Sequence, residues 1–288
     1  MKISTCYKQK KTVISLEVFP PKQGKGPEEI IDTIGQLQPL EPDFVSVTYS
    51  AGGSGESGVT FDLASLIKNT YGIEALAHLT CIHSDPAEVG RYLEKLKAEN
   101  VENILALRGD IPPDFEGGSP AHYRYAKELI RDIKKHGEFC VGAAAYPEGH
   151  LSADSVEESL GHLREKVDEG ADFLITQLFF DNRAFHAFHE KARKAGIQIP
   201  ISAGIMPILG RSQIQRMIFM CGVSLPAQII RILSRYENDP ASLLQAGIEY
   251  SGLQIRELME QGVDGIHIYT MNRPQIAREN IATIKAFL

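Results

Sequence analysis

Leu105-Ala106-Leu107-Arg108-Gly109-Asp110-Ile111-Pro112-Pro113 runs from an apolar strand straight into a cation, a glycine and a carboxylate, then into two prolines. Burying an unpaired charge is costly, so Arg108 and Asp110 at the end of a strand point to a wet cleft or a polar ligand. Gly109 lets a ligand approach the backbone closely. Seven other segments of the chain end in a comparable way. The strand candidates are Thr12–Phe19, Phe44–Ser50, Ala75–Cys81, Asn103–Gly109, Phe139–Tyr146, Phe173–Phe180, Ile201–Met206 and Gly265–Met271.

Amphipathic stretches separate them. Asp85-Pro86 opens one helix, with Val89, Leu93 and Leu96 on one face. Glu28 to Leu37 sets Ile30, Ile31, Ile34 and Leu37 in the same way, and Asn182 is read as the cap of a helix that ends near Gly196. Met1 to Lys11 is polar and is expected to fray or to cap one end of the fold. Eight strand–helix repeats in 288 residues indicate an α/β fold, a closed (β/α)8 TIM barrel with extra helix between strands seven and eight, in the irregular stretch Ala203 to Pro240. An open doubly wound sheet is the alternative. No Pro/Gly/Ser-rich linker divides the chain, so residues 1–288 are expected to form a single domain.

Composition narrows the function classes. A net charge of -7 argues against nucleic acid, and an acidic surface is a poor match for an anionic membrane. No apolar run approaches the roughly 20 residues of a membrane span, and there is no signal-peptide pattern at the start. Cys6, Cys81, Cys140 and Cys221 are scattered without a CxxC pair, which indicates no metal site and a cytoplasmic location.

In such barrels the chemistry sits at the C-terminal ends of the strands. Those ends carry Glu17; Thr48 and Tyr49; His78 and Thr80; Arg108 and Asp110; Tyr146 and His150; Gln177 and Asp181; Met206 with Gln213 beyond it; and Tyr269, Asn272 and Arg273. Any one could be a satisfied core group, but all eight at the same end point to a site. Glu17, flanked by Leu16, Val18 and Phe19, is expected to be desolvated, with a raised pKa suited to a general acid. A structural ion pair is the competing reading. Gly53 to Gly58 formally matches GxGxxG, but the next strand ends in His78-Leu79-Thr80 rather than in an acid for a ribose. It reads as a βα loop over the mouth. His186 and His189 lack a third ligand.

Taken together, Leu-Glu-Val-Phe-Pro-Pro (16–21), Phe-Val-Ser-Val-Thr-Tyr (44–49), Ala-His-Leu-Thr-Cys (77–81) and Leu-Arg-Gly-Asp-Ile-Pro-Pro (107–113) resemble successive motifs of the methylenetetrahydrofolate reductase family. So do Ala-Ala-Tyr-Pro-Glu-Gly-His (144–150), Thr-Gln-Leu-Phe-Phe-Asp (176–181), Gly-Ile-Met-Pro (204–207) and Tyr-Thr-Met-Asn-Arg (269–273). The resemblance implies an FAD-bound barrel that reduces 5,10-methylenetetrahydrofolate to 5-methyltetrahydrofolate with NADH or NADPH as co-substrate. It implies catalytic roles for Glu17 and Asp110, a hydrogen bond from Gln177 to whichever substrate is present, folate or nicotinamide, further substrate contacts for Gln213 and Arg273, and a nicotinamide contact for Thr48. It also places FAD against Tyr49, Ala51, His78, Arg108, Gly109, Asp110, Ala126, Tyr146, His150 and Lys166. A homo-oligomer is expected, with a partner subunit as an open alternative.

At Ser159, His162 and Glu165 the chain departs from the family pattern, which has Asp, Asn and Arg there. A Glu for an Arg beside a diphosphate reverses a charge, and Arg164 or His162 is expected to compensate. Met217 stands where the family often has an aromatic. Two alternatives remain at this stage, a flavin reduced by a partner protein and a non-catalytic folate or flavin subunit. A Schiff-base lyase would need a lysine at a strand end, and none is there.

Overall fold

Apolar residues at alternate positions, with β-branched residues on the outer face, make each strand two-sided. In β1 (Val13–Val18), Ile14, Leu16 and Val18 face the helical layer while Val13 faces the barrel axis. The other strands are β2 (Phe44–Val47), β3 (Glu74–Thr80), β4 (Asn103–Leu107), β5 (Cys140–Ala145), β6 (Phe173–Thr176), β7 (Ile201–Ile205) and β8 (Gly265–Tyr269). All are parallel, each pairs with the next, and β1 closes on β8 with Ser15 opposite His267 and Glu17 opposite Tyr269. The computed structural model describes residues 1–21, 26–49, 57–82, 84–109 and 122–288. The expected closed barrel is therefore the observed architecture.

Around it run α1 (Ile3–Gln9), α2 (Glu28–Leu37), α3 (Ser57–Asn69), α4 (Pro86–Ala98), α5 (Ala126–His136), α6 (Val156–Asp168), α7 (Asn182–Lys194), α8 (Arg211–Cys221), α9 (Ala227–Arg235), α10 (Pro240–Glu260) and α11 (Pro274–Lys285). Asp85 caps α4 as the sequence suggests, its side chain accepting from Glu88 N at 2.7 Å. The cap of α7 is Asp181, one residue before the expected Asn182. Asp181 accepts from Arg183 N, whereas the Asn182 amide turns inward to Gln254 O at 3.1 Å and Glu257 Oε2 at 3.0 Å.

The segment Met1 to Lys11 caps rather than frays. Helix α1 crosses the N-terminal end of the barrel, where Ile3 and Cys6 join Val13, Phe44, Leu76, Leu105 and Phe173 in an apolar floor. Ile3 N donates to Asn103 Oδ1 at 2.8 Å, and the Tyr7 hydroxyl meets Ser202 Oγ at 2.7 Å.

Between β7 and β8 lie three helices, so the expected extra helix is present. α10 packs on β7 and α11, as a barrel helix does. α8 and α9 are the addition, and they enclose a second apolar cluster of Leu178, Phe180, Met206, Ile208, Ile214 and Ile229, with Met217 and Tyr269 against it. Several strands also stop short of their expected ends. β6 closes at Thr176 rather than Phe180, and of the residues beyond it Leu178 and Phe180 join this second cluster while Phe179 joins the main core.

Candidate active site

Glu17 sits near the C-terminal end of β1 and is only 6% exposed. Its Oε2 receives His267 Nε2 from β8 at 3.3 Å and the Ser46 hydroxyl from β2 at 3.4 Å. His78 Nε2 from β3 stands 3.6 Å away, beyond hydrogen-bond reach and without another hydrogen-bond partner among the described residues. His267 is oriented from behind, its Nδ1 meeting Ser15 Oγ at 2.8 Å. The array is thus Ser15–His267–Glu17, drawn from two neighbouring strands and flanked by the next two.

This environment corrects the expected pKa of Glu17. Burial does push the carboxyl up, but the hydrogen bond from His267, the electrostatic attraction of the neighbouring His78 and His267 side chains, and the Ser46 hydroxyl outweigh it. The net direction is down, so in the unliganded protein Glu17 is a carboxylate at neutral pH. His78 is driven the other way by the same burial, down to about 4, and is a neutral imidazole there.

The end of β1 is held by the turn after β8. Thr270 Oγ1 donates to Glu17 O at 2.6 Å, Phe19 N donates to Asn272 Oδ1 at 2.8 Å, and Asn272 Nδ2 donates to Phe19 O at 2.9 Å. Met271 and Asn272 both adopt positive φ, 55° and 53°. Such backbone costs about 1–3 kcal/mol at a non-glycine residue, least at Asn. Arg273 follows at the head of α11, exposed, with no side-chain partner among the described residues.

Other expected site residues line the same rim. Gln177 keeps its Oε1 on Leu178 N at 2.9 Å, and its Nε2 has no partner among the described residues. Gln213 spends both amide atoms on the β7–α8 loop, accepting from Leu209 N and donating to Pro207 O. Thr48 accepts the Thr60 hydroxyl through its carbonyl, and Tyr49 packs edge-on to Phe61. Gly109 has φ +89°, and a Cβ there would lie 3.0 Å from Ile82 and 3.2 Å from Thr80. Only glycine fits that bend. Asp110 and Ala51, with most of the Gly53–Gly58 run and the Ile111–Pro113 end of the opening stretch, lie outside the described residues.

A second group gathers over β5 and α6. The Lys166 ammonium reaches Ala144 O and lies 5.6 Å from the centre of the Tyr146 ring. No carboxylate pairs with it among the described residues, and burial pushes it down to about 8. His150 stands edge-on to Tyr146 at 4.6 Å, and its N–H donates to Ser159 Oγ at 3.1 Å. Across from it, Ala126 is the first residue of α5, and Tyr125 stacks on His162 with Arg124 and Lys127 over its ring. Lys127 pairs with Glu165 at 2.9 Å, and His162 meets the same carboxylate at 3.3 Å. Arg164, one of the two expected compensating cations, instead binds Asp168 and Ala195 O. The reversed charge at 165 is answered from α5, by Lys127.

Sequence reasoning missed Ser15, Ser46 and His267. Period-two alternation in Gly265-Ile266-His267-Ile268-Tyr269 was the available signal, because it puts His267 on the same inner face as Tyr269. Gly204 was missed for a related reason. A Cβ there would strike Thr176 O and the Tyr269 ring, so only glycine fits between them.

A closed parallel barrel whose strand ends converge on a buried carboxyl–imidazole array is a (β/α)8 barrel of the enzyme type. The methylenetetrahydrofolate reductase family model matches residues 2–285, and the chain belongs to that family, a family of enzymes. It is 35% identical over 264 residues to the 5,10-methylenetetrahydrofolate reductase of Pectobacterium carotovorum, covering 92% of this chain and 87% of that protein. The Escherichia coli protein of the same name is 34% identical, with 92% and 88% covered. Methylenetetrahydrofolate reductase 1 of Schizosaccharomyces pombe is 37% identical, but the chain spans only 44% of its length. An uncharacterized protein from Clostridium thermocellum, described as binding two copies of 5-methyl-5,6,7,8-tetrahydrofolic acid, shares the fold at TM-score 0.67 and 16% identity, over 98% of this chain and 99% of its own.

Proposed function

We propose that this protein reduces 5,10-methylenetetrahydrofolate to 5-methyltetrahydrofolate, with NADH or NADPH as the electron source and FAD as the carrier. Family membership supplies the reaction, and the observation that carries the assignment to this chain is the buried Ser15–His267–Glu17 array at the barrel mouth. The residues present fit FAD. Lys166 is a buried ammonium without a carboxylate partner among the described residues, His78 Nε2 is a buried donor or acceptor without a hydrogen bond, and Gly109 leaves room for a close backbone approach. Tyr49, Ala51, His78, Arg108, Gly109, Asp110, Ala126, Tyr146, His150 and Lys166 would hold the cofactor, with Lys127 and His162 facing its anionic part. Bound FAD supplies a two-electron hydride carrier; the protein supplies position, charge and the proton.

Glu17 and His267 share the proton that the folate step needs. The pair delivers it to N10 of the methylene bridge, the carbon–N10 bond breaks, and the electron pair stays on N10. The carbon is left as an iminium on N5, ready to accept hydride. Occupation of the mouth by the pterin removes the remaining water from Glu17, and this favours the protonated carboxyl that the unliganded site disfavours. Asp110 is assigned the role of favouring the developing cation by its negative charge. Gln177 offers Nε2 to whichever ring is present, Arg273 offers a guanidinium to the folate carboxylates, and Gln213 holds the loop that carries the α8 wall. Thr48 contacts the nicotinamide.

Absorption spectra and single-turnover kinetics of Glu17→Gln test the reading. The variant is expected to bind FAD and bleach with NADH at the wild-type rate, and to reduce methylenetetrahydrofolate at least 100-fold more slowly, about the loss of a general acid. Equal loss of both half-reactions would remove Glu17 from the proton-donor role. A wild-type flavin that stays oxidised with both NADH and NADPH would assign its reduction to a partner protein.

A further inference from the structure

We infer that Asn272 is a positioning residue for the folate step, a side-chain clamp that fixes the end of β1 and so aims the Glu17 carboxyl. The inference rests on the reading of Glu17 as the proton donor. The register between β1 and β8 ends at Glu17 opposite Tyr269, so the acid is the last residue of its strand paired on that side. One step further, the backbone of β8 turns away. The Asn272 side chain takes over, its amide meeting both the N–H and the carbonyl of Phe19 at 2.8 and 2.9 Å, as the next residue of a strand would. Thr270 closes the same join from below, with its N–H and hydroxyl both on Glu17 O, at 3.3 and 2.6 Å. Glu17 is thereby held on two sides, through its carbonyl by Thr270 and through its strand's continuation by Asn272.

The backbone gives up ease of folding to make this contact. Two consecutive non-glycine residues, Met271 and Asn272, take left-handed φ. Asn is enriched in that region and Met is uncommon there, so the turn is no generic connection. A relaxed turn would carry the amide away from Phe19. The same turn also sets Arg273, whose N–H donates to Thr270 O at 3.0 Å. A carboxyl for one end of the folate and a guanidinium for the other are therefore built on one frame, with Asn272 as its joint.

Asn272→Gly, Asn272→Ala and Asn272→Asp separate the clamp from the strain. Glycine accepts the positive φ and has no amide, alanine loses both advantages, and aspartate keeps the acceptor for Phe19 N–H but opposes the Phe19 carbonyl. Each purified variant is assayed for NADH-driven flavin bleaching, for single-turnover reduction of methylenetetrahydrofolate across pH, and for melting temperature. The folate step is expected to fall about 10- to 100-fold in the Gly and Ala variants and less in Asp, in kcat more than in KM. Its pH profile shifts while bleaching stays within about twofold of wild type. Glycine is expected to melt no lower than alanine. Recovery of the folate step in Asn272→Gly would show that only the backbone strain mattered, and would overturn the proposal. So would a parallel fall of both half-reactions with melting temperature. A wild-type protein that bleaches but leaves the folate untouched would overturn the functional reading itself, and this inference with it.

Discussion

Lys166 shows how burial sets chemistry one residue at a time. Its ammonium has a backbone carbonyl and a tyrosine ring for company, and burial brings its pKa down to about 8. An anionic ligand would bind the protonated form, so the sign of the pH effect is fixed. FAD affinity is expected to hold below pH 8 and to weaken as pH rises through it, by about tenfold or more for the loss of one charge-assisted contact. Fluorescence-quenching titrations of the apoprotein at pH 7 and pH 9.5 measure this. Lys166→Met is expected to bind more weakly at pH 7 and to lose the pH dependence; an unchanged slope in that variant would assign it to another group. Glu17 teaches the complementary lesson. Its apolar sequence neighbours do bury it, but the groups that decide its charge, His267 and Ser46, come from other strands.

At the scale of the element, neighbouring residues at the start of α7 divide two tasks. Asp181 caps the helix and pairs with Arg183 at the surface, while Asn182 ties α7 to α10 through Gln254 and Glu257. Asp181→Ala is expected to cost about 1 kcal/mol, the usual loss of a cap. Asn182→Ala is expected to cost more, about 2 kcal/mol, because it leaves the buried Gln254 carbonyl without that donor. Urea unfolding of both variants decides the order; a larger loss at Asp181 would mean that the α7–α10 join carries little. α8 and α9 show where element reading fell short. Their apolar residues pack with Leu178, Phe180 and Met206 from two different strand ends, so their placement depended on where β6 and β7 stop.

Across the whole molecule the two ends of the barrel have separate duties. The C-terminal end carries the candidate site, and the N-terminal end is sealed by α1 over a floor of Val13, Phe44, Leu76, Leu105 and Phe173. Ile3 is fully buried in that floor. Ile3→Ala is expected to lower stability by about 2–4 kcal/mol while leaving folate turnover at 25 °C unchanged. Equilibrium unfolding and a turnover assay on the same sample check it, and a turnover loss in folded protein would show that the two ends are coupled.

By itself the sequence determined the closed barrel and the ends at which the polar residues gather, and it singled out Glu17 as a buried carboxyl among them. Local physics suffices for these: alternation of apolar residues makes strands, caps and periodicity make helices, and eight repeats of the pair close. Gly109 was legible as a place of close backbone approach before a carboxylate, but not as the positive-φ bend that it makes. Tertiary structure alone decided the partners. That β1 lies beside β8 is what brings Ser15 to His267, His267 to Glu17 and Asn272 to Phe19, pairs about 250 residues apart in the chain. The charge state of Glu17 and the answering of Glu165 by Lys127 belong to the same class. Electrostatic and hydrogen-bond energies fall off with distance in space, and only closure of the barrel turns distance along the chain into contact.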